Sequence, residues 1–106
     1  MKPARLRPRA KSDLSDQAWY YGREVDIATA DAFVDQALSA LSAIEQQPGM
    51  GSPRWTPWST QPPLRAWRVG RFAMVWFYVE RRDHLDVLRL LGERQDIATI
   101  LRDEEA

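Results

Sequence analysis

The sequence predicts an α+β domain: an N-terminal short strand, a helical hairpin packed on a small antiparallel sheet, and a short C-terminal helix. Two observations support this order. Apolar residues recur at helical spacing across residues 12–47. Three short runs with strand character then fill residues 64–91, and a final helical run with an acidic tail occupies residues 93–106. Because helices and strands form separate blocks, a two-layer arrangement of helices on a sheet is favoured.

The N-terminal residues 1–11 form a basic arm that also contains an edge strand near residues 6–9, where Pro8 lacks an N–H for a central ladder. Ser12 is the predicted N-cap of a first helix that ends near Asp26. Thr29 is the predicted N-cap of a second helix, which Pro48 and the following glycine end. The apolar stripe of this second helix consists of Phe33, Val34, Ala37, Leu38, Leu41 and Ile44.

Residues 48–63 are rich in proline and are predicted to lack regular structure. Trp55 and Trp58 in this loop have two interpretations. They either pin the loop to the core or form an exposed surface that binds a partner.

The sheet is predicted from residues 64–69, 72–79 and 85–91, with Gly70 and Arg71 as a two-residue hairpin turn. The middle strand is apolar on both sides of its pleat, so it should be central and covered on both faces. Polar residues 80–83 form the next turn, Gly92 ends the third strand, and residues 96–102 resume helical spacing. The residues assigned to the helix–sheet interface are Phe33, Leu38, Leu41, Val75 and Phe77.

The 106 residues suffice for one domain with a modest core. The chain has no cysteine and a single histidine, His84, which disfavours disulfides, thiolate catalysis and Cys- or His-based metal sites, so neither a metal nor a cofactor is expected. No run of about 18 apolar residues indicates a membrane span. The arginine-rich N-terminus lacks the apolar region of a secretory signal, and we expect a cytoplasmic protein.

Several short sequence motifs follow one another along the chain: Pro-Gly-Met-Gly at 48–51, Leu-Arg-x-Trp-x-Val-Gly-Arg-Phe at 64–72, the aromatic strand, Val-Leu-Arg-Leu-Leu-Gly at 87–92 and Arg-Gln-Asp-Ile at 94–97. Together they resemble the RelE/ParE family of toxins from bacterial toxin–antitoxin modules. The resemblance covers roughly residues 6–101. It implies a small toxin held inactive by a co-expressed antitoxin whose C-terminal segment wraps around it.

The family contains two activities. RelE-like members cut messenger RNA on the ribosome, and Arg71 and Arg94 match their basic positions by local context. The position of the RelE tyrosine falls on Ile100, which cannot transfer a proton. His84 has suitable chemistry, but its place in a polar turn favours a solvated role.

The resemblance therefore favours the ParE-like branch, whose members inhibit DNA gyrase by protein–protein contact and need no catalytic residues. It implies a ParD-like antitoxin in a hetero-oligomer, with no specific nucleic-acid binding and no membrane partner. The alternative is a ribosome-dependent endoribonuclease of the RelE type, and an inactive family member also remains open.

The surface expected to bind the antitoxin is the far face of the sheet and the groove beside the hairpin. Apolar antitoxin side chains would meet Trp67, Trp76 and the two loop tryptophans. Acidic antitoxin side chains would pair with Arg65, Arg68, Arg71 and Arg89. A solvated strand face remains the other interpretation for each arginine, since a one-residue slip in register reverses every assignment.

Overall fold

The computed structural model describes residues 1–54 and 64–105. Its elements, in chain order, are β1 (Ala4–Leu6), α1 (Pro8–Glu24), α2 (Ile27–Gln46), a 3-10 turn (Pro48–Met50), β2 (Ser52–Arg54), β3 (Leu64–Arg68), β4 (Met74–Glu80), β5 (Leu85–Gly92) and α3 (Ile97–Glu105). The predicted α+β class and order of elements are confirmed. Trp55 and Trp58 lie outside the described residues.

The five strands form one sheet in the order β1-β5-β4-β3-β2. This sheet is mixed, whereas the sequence predicted an antiparallel one, because β1 pairs parallel to β5 while the other neighbours pair antiparallel. The difference arises at the far ends of the chain. The N-terminal edge strand, predicted near residues 6–9, is formed instead by Ala4–Leu6, because residues 8 and 9 belong to α1. It joins the last strand of the sheet, which runs in the same direction. A further strand, β2, lies in the segment predicted to be irregular.

Strand β4 is buried on both faces, as its sequence predicts. Met74, Trp76 and Tyr78 face the α1–α2 hairpin. Val75, Phe77 and Val79 face the other side, where Leu101 of α3 completes a second core. The sequence was therefore wrong to place Val75 and Phe77 at the interface with the hairpin.

Helix α2 buries Phe33, Ala37, Ala40, Leu41 and Ile44 against the sheet. Leu38 was predicted to join them, but 49% of it is exposed because it lies one position off this stripe. By length and composition α2 is also the one helix in the described ranges that could span a membrane. The core helix of a soluble protein can have the same length and apolar composition.

Both predicted helix starts were wrong. Helix α1 begins at Pro8, four residues before Ser12, because proline fits the first helical position where no N–H is needed. Helix α2 is capped by Asp26, whose Oδ1 accepts a 2.7 Å hydrogen bond from the Thr29 N–H. Hydrogen bonding from the Thr29 side chain, and to a lesser extent from its backbone N–H, lowers the pKa of Asp26 below its ordinary value. Thr29, the predicted N-cap, instead donates its N–H to Asp26, the observed N-cap.

The turn between β3 and β4 is longer than the two residues predicted. Val69 N–H donates to the Met74 carbonyl at 2.9 Å, and Gly70 takes a positive φ of 48°, which glycine adopts without strain. Phe72, which the sequence placed at the start of the strand, lies in this turn instead. Its ring lies 5.3 Å from the rings of both Tyr21 and Phe33, so it seals the hairpin against the end of the sheet.

A β-bulge lies in β5. Phe77 pairs with Arg89 whereas Tyr78 pairs with Val87, so Leu88 is an extra residue on β5. Because of this insertion, Val87 and the residue three positions later, Leu90, both face the hairpin.

Candidate functional site

Exposed apolar side chains concentrate at the tip of the α1–α2 hairpin. Trp19 is 72% exposed and Ile27 74%, and Val25 between the helices is also largely exposed. Trp19 and Ile27 border a groove of about 550 Å³, which we call the hairpin groove; its lining residues are Ser15, Ala18, Trp19, Gly22, Arg23, Ile27 and Ala30. Exposed apolar side chains beside a groove make this region a candidate interaction surface.

The floor of the hairpin groove is formed by small residues where the helices approach closely. A Cβ added at Gly22 would lie 3.7 Å from the Ala30 Cβ, within ordinary contact distance. A larger residue at either position would partly fill the groove. The groove is therefore a product of the tight α1–α2 connection, in which only Val25 and Asp26 separate the helices.

The arginines that the RelE resemblance singles out lie at one end of the sheet. The Glu93 N–H donates to the Ala73 carbonyl at 3.1 Å, which joins the turn containing Arg71 to the segment containing Arg94. Both arginines are exposed. The guanidinium of Arg71 lies over the Phe72 ring, 5.6 Å from its centroid, and within the described ranges neither arginine has a carboxylate partner.

A cleft of about 530 Å³ opens beside Arg94, between α1 and the end of the β4–β5 pair. We call it the Arg94 cleft; its lining includes Gln17, Tyr20, Tyr21, Met74, Glu93, Arg94 and Gln95. Tyr20 is about half exposed and packs edge-on against Tyr21, with ring centroids 5.7 Å apart.

The sequence pattern singles out neither Trp19 nor Tyr20 as a candidate site residue. Consecutive residues on a helix point about 100° apart, so Trp19, Tyr20 and Tyr21 could not all face one core. That geometry was a readable signal that two of these aromatic rings would lie at the surface.

The positions that the RelE comparison and the sequence chemistry raise for proton transfer, Ile100 and His84, supply no proton-transfer group to the two arginines. Ile100 packs against the second core, as a partly buried apolar side chain. His84 lies in the β4–β5 turn, at the opposite end of these strands from Arg71 and Arg94. Its Nδ1 is 2.7 Å from Asp83 Oδ1, and this contact lowers the pKa of Asp83.

Three of the arginines predicted to bind an antitoxin already have partners within the chain. Arg65 Nη1 donates to the Gly51 carbonyl at 2.9 Å, and Arg68 Nε lies 3.1 Å from Glu93 Oε1. Arg89 is held by Asp13 in a mostly buried ion pair.

The structure also corrects the placement of Trp76. It was expected on an open face of the sheet, but it is 0% exposed under the hairpin, and its Nε1 donates to the Ala37 carbonyl at 3.0 Å. The ring therefore presents no surface to a partner. The far face is covered in turn by α3. Trp67 is partly buried and lines a small groove between α2 and β3.

Within residues 1–54 and 64–105, no group of His, Cys, Asp and Glu side chains is arranged to hold a metal ion.

The profile of a protein family described as the ParE toxin of the type II toxin–antitoxin system parDE matches residues 4–97. No curated protein matches the chain. Among solved structures, a chain of the "Chromosomal ParDE TA system from P. aeruginosa" superimposes with a TM-score of 0.71 at 18% sequence identity, covering 87% of this chain and 96% of that one. At that identity the likeness concerns the fold.

Proposed function

Because the chain belongs to the ParE toxin family of type II toxin–antitoxin systems, we propose that it acts in the cytoplasm by binding and inhibiting DNA gyrase, and that a ParD-like antitoxin neutralises it. On this proposal the toxin inhibits gyrase by protein–protein contact and not by catalysis. The antitoxin forms a hetero-oligomer with it.

The observation that carries the proposal is the hairpin groove. A bare groove bordered by Trp19 and Ile27, 72% and 74% exposed, is suited to the apolar face of an amphipathic segment. Tryptophan is also the residue type that most often dominates binding energy at protein interfaces. The groove thus offers a partner a large apolar contact that does not require the chain to rearrange.

The arrangement of the arginines also favours binding over cleavage. A nuclease needs a proton-transfer group within reach of the phosphate-binding side chains. Ile100 cannot serve, and His84 is at the other end of the sheet.

One observation favours the RelE-type endoribonuclease as a second candidate. The Tyr20 side chain lines the same cleft as Arg94, and a phenol hydroxyl is able to transfer a proton. In that case Tyr20→Phe would abolish ribosome-dependent cleavage while leaving the fold intact.

The experiment is expression of the toxin alone and with the product of the adjacent gene. Alone, we expect toxicity, loss of gyrase supercoiling activity and intact messenger RNA; with the antitoxin, we expect rescue and a higher melting temperature. A monodisperse, harmless chain that the neighbouring gene product does not stabilise would contradict the proposal.

Matched variants locate the antitoxin contact. Trp19→Ser should weaken antitoxin binding by more than about tenfold, the loss expected for a buried aromatic anchor. Leu38→Ser is the control, since Leu38 is also exposed on the hairpin but does not line the groove. Equal affinities for the two variants would place the antitoxin elsewhere.

A further inference from the structure

The Arg94 cleft presents hydrogen-bond donors from two side chains, Arg94 and Gln95. Within the described part of the chain, Arg94 makes no hydrogen bond or ion pair, and a guanidinium has donors only. Gln95 Oε1 already accepts a 2.6 Å hydrogen bond from the Gly92 N–H, so its amide group is left as a donor. Such a set of groups fits an anionic oxygen ligand.

The one carboxylate in the cleft wall is already matched. Glu93 Oε1 lies 3.1 Å from Arg68 Nε, which offsets its charge. Arg71, at the same end of the sheet, adds a second cation without a carboxylate partner among the described residues. The local charge is therefore positive although the whole chain is formally neutral.

We infer that the Arg94 cleft binds a carboxylate side chain from an acidic segment of the target protein. An apolar neighbour in that segment would pack against Tyr20 and Met74, the apolar part of the cleft. This inference rests on the proposed function, which makes DNA gyrase the target. A guanidinium and a carboxylate pair through two parallel hydrogen bonds, which would fix the orientation of the segment.

A protein segment fits better than a nucleic-acid backbone. Asp96 lies two positions beyond Arg94 and is not part of the cleft lining, so a chain of phosphates that runs on past the cleft would meet its carboxylate. A single carboxylate that enters the cleft does not extend to Asp96, and the Glu93 carboxylate in the cleft wall is already paired with Arg68. The cleft and the hairpin groove also share no lining residue, so target and antitoxin have separate contacts on different faces of α1.

The test measures the affinity of purified toxin for the gyrase heterotetramer and, separately, for the antitoxin. Arg94→Gln should weaken gyrase binding by about tenfold or more, and Arg94→Glu should weaken it further. The matched control is Arg82→Gln, which removes an exposed arginine in the β4–β5 turn at the opposite end of the sheet. It should leave both affinities unchanged. Added salt should weaken the wild-type complex more than the Arg94→Gln complex.

Each other outcome overturns the inference in a recognisable way. If the wild type binds gyrase and folded Arg94→Gln binds it equally well, the cleft is not the contact, although the proposed function stands. If the wild type does not bind gyrase, both are wrong. If Arg94→Gln weakens the antitoxin complex by the same factor as the gyrase complex, the cleft is not specific to the target.

Discussion

Replacing Asp13 by alanine should lower the free energy of unfolding by about 3 kcal/mol. The Asp13 carboxylate accepts from Arg89 Nε at 2.7 Å and from Arg89 Nη2 at 2.9 Å, and it also accepts from the Leu90 N–H at 3.0 Å. Only 14% of each side chain in the ion pair is exposed. The substitution therefore leaves a mostly buried guanidinium and a strand N–H without an acceptor.

The magnitude follows from these contacts. Breaking a buried ion pair by removing one partner costs about 3–5 kcal/mol. The remaining solvent contact of the pair reduces this figure, whereas the unsatisfied Leu90 N–H adds about 1 kcal/mol or more. Against a total stability of about 5–15 kcal/mol for a domain, the loss is large. The double variant Asp13→Leu/Arg89→Met should lose less unfolding free energy than the two single variants lose together, because no charge is left unpaired.

Urea unfolding followed by tryptophan fluorescence measures this loss, with Asp16→Ala on the same helix as the control, expected within about 0.5 kcal/mol of wild type. A loss below about 1 kcal/mol for Asp13→Ala would refute the reasoning. The same logic predicts that Arg89→Met affects antitoxin binding only through the fraction of folded protein, because its guanidinium is already bound inside the chain.

Three further outcomes are expected. Phe77→Ala should cost about 3–5 kcal/mol and Leu38→Ala under about 1 kcal/mol in urea unfolding, because the first ring is buried and the second side chain is about half exposed. Burial acts to raise the pKa of Asp86, but hydrogen bonds from two arginines outweigh it and lower the pKa. The stability that Asp86 contributes should be complete above its unfolded pKa of about 4 and lost as pH falls through its folded pKa. Asp86→Asn should reduce this loss of stability in acid. Gly51→Ala should lower the melting temperature, since an added Cβ would clash with both the hydroxyl and the ring carbons of Tyr78.

The class of the fold could be predicted because local patterns carry it. The two-sided apolar run ending at Val79 indicated a central strand whatever packed on it, and Pro48 and Gly92 marked the ends of elements. The start of α1 was misread because Ser12 is a good cap by type, whereas Pro8 carried the correct signal.

The site was less predictable because its residues are defined by distant partners. Arg89 looks like a surface cation in sequence, and its carboxylate partner lies 76 positions away. Trp76 looks like a ligand for an apolar tail, and only the packing of α2 shows that it is buried. Conversely, whether Trp19 and Tyr20 face solvent depends on how the two helices are rotated against the sheet. Periodicity alone does not determine this rotation when several consecutive residues of a helix are aromatic.

The parallel pairing of β1 with β5 has a consequence for how this chain is made. The ion pair of Arg7 with Asp86, which ties the end of β1 to β5, joins residues 79 positions apart. During synthesis the N-terminal strand must wait until β5 has emerged before it gains a neighbour. Contacts of such long range slow folding and leave apolar surface exposed in the meantime. The sheet therefore closes only once β5 has emerged, and until then β1 has no strand to pair with.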